Sequence, residues 1–429
     1  MSIRYRKSEE QLARARRRIP LGAQTFSKSV TQFPYGAAPY FAARAKGSRL
    51  WDIDGNEYVD FVNGLCAINL GYCDDDVDDA VRTQLASGVV FTLSHALESE
   101  VAEQLCRMVP CAEMVRFGKN GSDATAGAIR LARAHTGRER VAACGYHGWQ
   151  DWYIGATSRN RGVPGAVSAL THVFPFGDLA ALEALLVSRP GEFAAVIMEP
   201  MNVAEPPEGY LEGVKELAHH HGALLVFDET ITGFRFAPGG AQQLFGVTPD
   251  LATFGKGMAN GFPVSAVVGR GDLMKLMEEI FFSFTFGGET LSLAAALATM
   301  RKIERTGATA HMTATGKRVQ LGVAQLIADC GLGATMSISG HPTWSFLTIK
   351  DTAPYSSWDI KTLFLQEMFA AGILTLGTHN LSHAHDEEDV SRLLGAYSKV
   401  LPMIRDALDK GDLGQRLVGD RLRPLFRVR

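Results

Sequence analysis

Between about residues 75 and 300, helix-like segments alternate with short runs of nearly continuous apolar residues. Such runs are typical of strands buried on both faces of a sheet, because no alternating polar side chain marks a solvent face. In chain order the runs are MVRFG, RVAACG, AAVIMEP, ALLVFDE, LATFG and SAVVG. The alternation predicts an α/β fold with a mainly parallel central sheet covered by helices, and a ligand site beyond the carboxyl ends of the strands.

The pattern differs on either side of this region. A β-hairpin with Asp54-Gly55 as its turn dipeptide precedes it, and longer helices with the strand-like segments TWSFLTI and GILTL follow it. We therefore predict an N-terminal segment, 1–60, that contributes to a small domain, and a large domain over 61–300. Residues 301–429 are predicted to form the rest of the smaller, α+β domain.

Composition narrows the class of protein. The chain is 46% hydrophobic and 21% charged with a net charge of −3, so it carries no broad positive footprint for nucleic acid. No apolar run is long enough for a membrane span, and the basic N-terminus lacks the apolar core of a secretory signal. The six cysteines show no metal-type spacing and fit reduced thiols. A cytoplasmic protein without nucleic-acid or membrane partners is predicted.

Three chemically active side chains stand where predicted strands end. Glu199 closes AAVIME, Asp228 closes ALLVFD, and Lys256 follows LATFG. A single carboxylate at such a place often only caps the next helix. Because the carboxyl ends of parallel strands meet at one edge of a sheet, we expect the three side chains to lie close together.

Lys256 stands between Gly255 and Gly257, as if space had been left beside its amine. An ammonium group loses hydration when it is buried, so a lysine at the end of a buried strand usually has a chemical use. A phosphate-binding loop does not explain it, because the Walker pattern requires Ser or Thr after the lysine. Nor does a metal site emerge elsewhere, since the adjacent His219–His221 cannot all face one ion.

Two further segments follow predicted strands and are expected to lie at the same edge of the sheet. Gly121 and Ser122 open a helix whose free N–H groups could hold a phosphate or could be an ordinary N-terminus. Tyr146 follows RVAACG and is either a stacking ring or a core aromatic. An amine, a carboxylate, a phosphate site and a flat ring together are the requirements of pyridoxal 5′-phosphate (PLP). The combination predicts a PLP enzyme.

With these residues in place, the chain resembles the class III (ω-type) PLP aminotransferases, particularly the glutamate-1-semialdehyde 2,1-aminomutase branch. The resemblance runs from about Gly47 to Arg270 and more weakly to the end. Its strongest segment is LLVFDETITGFRFAPGGAQQLFGVTPDLATFGKGMANGFPVSAVVGR. The resemblance implies PLP fold type I (aspartate aminotransferase-like), with Asp228 as the partner of the pyridine nitrogen and Lys256 as the Schiff-base lysine.

Shorter matching segments imply the remaining cofactor contacts. NGSDA implies phosphate donors, GYHGW implies a stacking ring with a histidine beside it, and MEP implies a supporting carboxylate. The implied residues are Gly121, Ser122, Tyr146, His147 and Glu199. FTFGGETLSLAAA resembles the segment whose threonine reaches the partner subunit's cofactor phosphate. It implies a homodimer in which Thr285 has that role.

Departures from the aminomutase pattern bear on the substrate. Lys28 lines up with an arginine that binds a carboxylate in that branch, and Leu65 lines up with a tryptophan. His379 and Asn380 stand in place of an expected acidic residue. The loop after GYHGW is shorter than the lid of true aminomutases, which favours release of product to solvent. These features predict a transaminase that uses an amino donor and an aldehyde or ketone acceptor, with a hydroxylated or sugar-like acceptor suggested.

Other functions preserve most of the same residues. An aminomutase, which transfers the amino group within one molecule, is the first alternative, and a PLP racemase or decarboxylase is a lesser one. A PLP-binding regulator would need a DNA-binding segment, which the sequence lacks.

Overall fold

The structure is a computed structural model that describes residues 3–423, so the last residues of the predicted C-terminal domain, 424–429, lie outside it. The chain forms two compact units. The larger contains Ala67–Asn69 and Asp75–Thr309. Of the described residues, the smaller contains 3–66, a short return over Leu70–Asp74, and 310–423.

Strands and helices follow the predicted alternation through the larger unit. The strands are β1 (Ala42–Lys46), β2 (Arg49–Asp52), β3 (Glu57–Asp60), β4 (Met114–Gly118), β5 (Arg140–Cys144), β6 (Thr171–Val173), β7 (Phe193–Met198), β8 (Leu224–Asp228), β9 (Leu251–Phe254), β10 (Ser265–Gly269), β11 (Met336–His341), β12 (Trp344–Ile349), β13 (Ile373–Leu374) and β14 (Thr378–Asn380). The α-helices are α1 (Arg6–Arg16), α2 (Asn63–Cys66), α3 (Asp75–Leu85), α4 (Ala96–Met108), α5 (Gly121–Thr136), α6 (Asp151–Ile154), α7 (Gly165–Ser168), α8 (Leu179–Val187), α9 (Tyr210–His220), α10 (Ala241–Phe245), α11 (Gly271–Met274), α12 (Thr290–Thr306), α13 (Ala308–Asp329), α14 (Ser357–Ala370), α15 (Glu387–Lys410) and α16 (Leu413–Arg416).

The larger unit is built on a seven-stranded sheet in the order β4-β10-β9-β8-β7-β5-β6. The five strands from β9 to β6 in this order are parallel, whereas β10 runs antiparallel to both of its neighbours. All six predicted apolar runs form strands, and the predicted α/β class is confirmed. The three-residue β6 is too short to give a recognisable apolar run.

Small side chains let a helix lie close to this sheet. Every residue of β7 and β8 is buried, as expected for strands covered on both faces. Helix α5 buries Ala124, Ala128 and Ala132, which recur every four residues and therefore share one face. This packing fixes the N-terminus of α5 beside the carboxyl ends of the strands.

The smaller unit contains a four-stranded sheet, β1-β2-β3-β13, and a three-stranded sheet, β11-β12-β14. The predicted hairpin is confirmed: β2 and β3 pair antiparallel, and Gly55 in the turn has a φ of +92°. Buried residues of α14 and α15, including Phe364, Met368, Leu393 and Tyr397, belong to one core with Val59 of β3. Among residues 3–423, no helix combines the length and apolar character needed to cross a membrane.

Candidate active site

Lys256 lies just beyond the carboxyl end of β9, in the larger unit. It begins a 3₁₀ turn, Lys256–Ala259, and has a φ of +41°, in the left-handed region that a non-glycine residue occupies at a cost of about 1–3 kcal/mol. Gly257 is required by packing, because a Cβ there would lie 2.2 Å from Nδ2 of Asn69. The sequence suggested that both glycines make room beside the amine. For Gly257 the reason is the close approach of Asn69.

The Lys256 side chain faces a cavity of about 420 Å³ at this edge of the sheet. Its lining includes six of the residues predicted to contact the cofactor: Gly121, Ser122, Tyr146, Glu199, Asp228 and Lys256. The amine, both carboxylates, the ring and the helix start therefore share one cavity. His147 does not line the cavity and contacts Asp228 instead.

Asp228 is buried at the end of β8, and both of its carboxylate oxygens accept hydrogen bonds. Oδ1 accepts from the backbone N–H of Thr230 (3.1 Å), from its hydroxyl (2.5 Å) and from the Thr253 hydroxyl (3.1 Å). Oδ2 lies 2.9 Å from Nδ1 of His147. Burial alone would raise the pKa of Asp228, but the contacts with His147 and Thr230 outweigh it and hold the pKa below its usual range.

His147 is held so that both ring nitrogens face acceptors. Nε2 lies 3.1 Å from the carbonyl oxygen of Cys144, which can only accept, so Nε2 carries a proton. Nδ1 faces Oδ2 of Asp228, so the ring is held between a carbonyl oxygen and a carboxylate. This contact gives the buried charge of Asp228 a partner that does not itself line the cavity.

Glu199 is the second buried carboxyl group of the cavity. Its Oε2 accepts from the backbone N–H of Tyr146 (3.0 Å) and from Nδ2 of Asn202 (2.9 Å). Burial, followed by the nearby charge of Asp228, raises the pKa of Glu199. Glu199 thus favours its neutral form where Asp228 favours its ionised one.

Helix α5 presents its first turn to the same cavity. Asn120 and Asp123 form a capping box, in which the N–H of Asp123 donates to Oδ1 of Asn120 (3.2 Å). Among the described residues, the N–H groups of Gly121 and Ser122 meet no acceptor, so they remain available to an anion. The backbone approaches closely here, since a Cβ at Gly121 would lie 2.9 Å from Cγ2 of Thr230.

Thr285 lies elsewhere in the larger unit. It is exposed and lines a groove of about 660 Å³ together with Phe91 and Phe284. Within this chain, Thr285 is therefore not part of the Lys256 cavity.

The three predicted substrate residues belong to the smaller unit. Lys28 is exposed at the end of a 3₁₀ helix, and Leu65 has a φ of +63° and packs against that unit's core. His379 is fully buried, with Nδ1 3.0 Å from the Ser345 hydroxyl and Nε2 2.9 Å from the Tyr397 hydroxyl. This placement leaves neither ring nitrogen of His379 for a substrate.

Three residues that contact the site were not predicted from the sequence. Thr253 pairs directly with Asp228 across β8 and β9, and Asn202 follows Glu199 by three residues. Lys119 also lines the cavity, and its Nζ lies 2.9 Å from Oε2 of Glu289. Of these, only Asn202 could have been suspected, because a polar side chain so close to a strand-end carboxylate is a common partner.

Known proteins of one family are similar to this chain. The family model of class-III aminotransferases matches residues 31–332. The chain is 34% identical over 404 residues to the 3-aminobutyryl-CoA aminotransferase of Cloacimonas acidaminovorans, covering 92% of this chain and 96% of that protein. It is 34% identical over 433 residues to the glutamate-1-semialdehyde 2,1-aminomutase of Roseiflexus castenholzii, covering 94% and 99%. The solved PLP internal aldimine form of the Sphingopyxis sp. MTA144 FumI protein is 27% identical with a TM-score of 0.88, covering 94% of this chain and 98% of that one.

The residues of the cavity fit PLP. An ionised carboxylate suits a protonated pyridine nitrogen, and free N–H groups at a helix start suit a phosphate. Tyr146 is 47% exposed, which leaves ring surface for stacking. Lys256 supplies the amine that such a cofactor requires.

Replacing Asp228 by asparagine should separate cofactor binding from catalysis. The amide keeps the size and the threonine contacts, but it cannot hold a proton on a ring nitrogen. We expect kcat to fall by on the order of 10²–10³ while PLP affinity changes little. Steady-state kinetics and a PLP titration of the apoenzyme measure the two quantities. Wild-type kcat in Asp228→Asn would contradict the role.

Glu199 should make stability depend on pH. The raised pKa of Glu199 means that this carboxyl group binds its proton more tightly in the folded protein than in the unfolded one. The contribution of that proton to the free energy of unfolding is therefore fully present below the unfolded-state pKa near 4.3, and it is lost as pH rises through the folded-state pKa. Glu199→Gln should accordingly become more stable relative to wild type as pH rises from about 5 to about 8. Urea midpoints of the apoenzymes measure this change. Glu216 is exposed, so Glu216→Gln is the control. If the difference in urea midpoint between Glu199→Gln and wild type were the same at every pH, the expectation would be contradicted.

Proposed function

The chain belongs to the class-III aminotransferase family, and on that premise we propose that it moves an amino group from a donor amine to a separate aldehyde or ketone acceptor. The observation that supports this proposal most strongly is the shared cavity of Lys256, Asp228 and the start of α5. It combines an amine, a carboxylate with a lowered pKa and free N–H groups.

Each of these groups has a distinct task. When bound, PLP supplies an aldehyde carbon that reacts with amines and a ring that withdraws electrons from the substrate. Lys256 would hold the aldehyde carbon through Nζ, and Asp228 would hold the proton on the ring nitrogen. Gly121 and Ser122 would bind the phosphate through their N–H groups, and Tyr146 would orient the ring by stacking.

Lys256 also carries the proton transfer. A free Nζ of Lys256 at the cavity wall would take a proton from the amine-bearing carbon of the donor. The same nitrogen would deliver a proton to the carbon of the acceptor when that molecule is aminated. One residue therefore serves both halves of the exchange.

Transfer between two molecules is favoured over transfer within one. The segment between Tyr146 and β6 contains the short helices α6 and α7. The resemblance implies that this segment is shorter than the lid of true aminomutases, which favours release of product to solvent. Relatives of both kinds exist, so an aminomutase is the second candidate. A racemase or decarboxylase on the same scaffold is a lesser one.

The lining that remains for a substrate around Lys256 is mostly apolar. Ile231, Phe262, Pro263 and Val264 contribute to it, together with Trp149. Such a surface offers few partners for a row of hydroxyl groups. It favours a less polar acceptor than the hydroxylated or sugar-like one suggested by the sequence.

We also propose a homodimer in which Thr285 reaches the partner subunit's cofactor phosphate. Apolar side chains around Thr285 support it, because Phe91, Phe281 and Phe286 are 43%, 83% and 56% exposed on one chain. A surface of this kind is typical of one that a second copy covers.

A single-turnover experiment tests the proposed reaction. PLP-loaded enzyme mixed with a donor amine, and with no acceptor, should release about one carbonyl product per active site, because the product leaves before the second half-reaction. Lys256→Ala is the control and should release none. Product can be quantified by mass spectrometry, and an isomerised amine without any free carbonyl would instead favour the aminomutase.

Mixing two impaired variants tests the shared site, because Lys256→Ala should have no turnover and Thr285→Ala should have little at limiting PLP. In a heterodimer of Thr285→Ala and Lys256→Ala subunits, one site has both intact residues. After dissociation and random reassociation, activity at limiting PLP should rise to about a quarter of wild type. Activity no higher than the average of the two separate variants would show that Thr285 does not act across subunits.

A further inference from the structure

Three residues of the larger unit share an unusual backbone conformation. Among its described residues, Phe234, Lys256 and Asn260 are the non-glycine residues with φ in the left-handed region, at +59°, +41° and +47°. Such a residue has a steric cost and persists only where surrounding contacts hold it. Lys256 begins the 3₁₀ turn that Asn260 follows, and Phe234 belongs to the loop after β8. The contacts that hold these residues therefore bear on the position of the Lys256 amine.

A single buried residue, Asn69, contacts two of these residues and the neighbour of the third. Asn69 also belongs to the larger unit and is fully buried. Its backbone N–H donates to Oδ1 of Asn260 (3.0 Å), and its Nδ2 donates to the carbonyl oxygen of Phe234 (3.0 Å). Beside Lys256, its amide lies so close to Gly257 that a Cβ there would be 2.2 Å from Nδ2. Asn69 thus joins the turn that carries the amine to the loop after β8.

Arg235 determines which way the Asn69 amide faces. Arg235 is fully buried, and its guanidinium donates to Oδ1 of Asn69. Because a guanidinium can only donate, the amide oxygen must face Arg235, and the amide nitrogen is left to face the carbonyl oxygen of Phe234. A hydrogen bond left unmade at a buried position is costly, so the amide cannot turn away without a penalty. The orientation of Asn69 is therefore set by its partners.

The hydrogen bonds within the turn do not join it to another segment. The N–H of Met258 donates to the carbonyl oxygen of Gly255 (3.0 Å), which closes the turn on itself. The contact between Asn69 and Asn260 is of a different kind, because the two residues lie 191 positions apart in the chain. It ties the end of the turn to a distant, buried part of the larger unit.

We propose that Asn69 is a positioning residue for Lys256, which it holds in the left-handed conformation that directs the amine into the cavity. A lysine with a right-handed φ would point its side chain in another direction, so release of the turn would move Nζ away from the atoms with which it reacts. A displacement of about 1 Å at such a place can lower a rate on the order of 10²-fold. The inference rests on the proposed function, because it concerns the amine to which that function assigns the chemistry.

Asn69→Asp tests the role and keeps the size of the side chain. The carboxylate retains Arg235 as a partner, but it has no N–H for the carbonyl oxygen of Phe234, so the support of the turn is weakened. Mixed with PLP, the Asn69→Asp apoenzyme should attach the cofactor to Lys256 at least about ten-fold more slowly than wild type. Borohydride reduction at timed intervals, followed by mass spectrometry of the peptide that contains Lys256, measures this rate.

A binding measurement separates positioning from general damage to the site. Pyridoxamine 5′-phosphate has an amine in place of the aldehyde and cannot react with Lys256, so its affinity reports the remaining cofactor contacts. Isothermal titration should give a Kd for Asn69→Asp within about two-fold of wild type.

Gln104→Glu is the matched control, because the Gln104 amide has similar surroundings outside the Lys256 cavity. It is buried, it accepts from Arg107 (2.7 Å), and it donates to Oε2 of Glu304 (2.8 Å). The substitution again replaces an amide N–H by an oxygen beside an acceptor. We expect Gln104→Glu to change neither the attachment rate nor the affinity for pyridoxamine 5′-phosphate.

Asn260→Gly is a second variant that tests the same contact from the other side. Glycine adopts a φ of +47° without steric cost, so the fold should be kept, but the acceptor for the N–H of Asn69 is lost. Attachment of PLP to Lys256 should be at least about three-fold slower than in wild type.

The outcomes distinguish this role from the proposed reaction. If Asn69→Asp attaches PLP slowly and wild type attaches it fast, yet no donor amine yields a carbonyl product, the positioning role stands and the aminotransferase reaction fails. Attachment at the wild-type rate in either variant would overturn the role of Asn69. So would equal slowing in Gln104→Glu, or a loss of affinity for pyridoxamine 5′-phosphate in Asn69→Asp as large as its loss of attachment rate.

Discussion

The ionised state of a buried carboxylate is the constraint on which this site depends. Asp228 keeps its charge only because hydroxyl, backbone and imidazole donors occupy its oxygens. The register of β8 and β9 sets Thr253 opposite Asp228, and the loop after β5 supplies His147. Three separate segments must therefore fold correctly before one charge is stable at the cavity wall.

A second carboxyl group in the same cavity shows how environment assigns roles. Asp228 and Glu199 are both buried, yet the pKa of the first is lowered and that of the second is raised. The difference follows from the surroundings. Asp228 is in contact with the His147 ring and accepts hydrogen bonds from two hydroxyl groups and a backbone N–H. Glu199 accepts from one backbone N–H and one side-chain amide, and it lies near the charge of Asp228. Carboxyl groups whose pKa values are driven apart can act as an anion and as a neutral hydrogen-bonding group side by side.

Much of this arrangement could be predicted from the sequence, because strand ends and glycine-led helix starts are local patterns. The apolar runs predicted six of the seven strands of the large sheet, and Glu199, Asp228 and Lys256 lie at one edge. Contacts set by register and long-range packing could not be predicted in the same way. Thr253 gave no signal, and the need for Gly257 depends on Asn69, which is distant in sequence. His379 was assigned to substrate by resemblance, whereas its hydrogen bonds to Ser345 and Tyr397 depend on how the smaller unit packs.

The surroundings of Asp228 come from two separate parts of the large sheet. Asp228 and Thr253 belong to the neighbouring strands β8 and β9 in its interior. His147 belongs to the loop after β5, the strand that lies between β7 and the edge strand β6. Because β5 and β9 are not neighbours in the sheet, a substitution near His147 and one near Thr253 both alter the contacts of Asp228 directly, although they lie in different parts of the sheet.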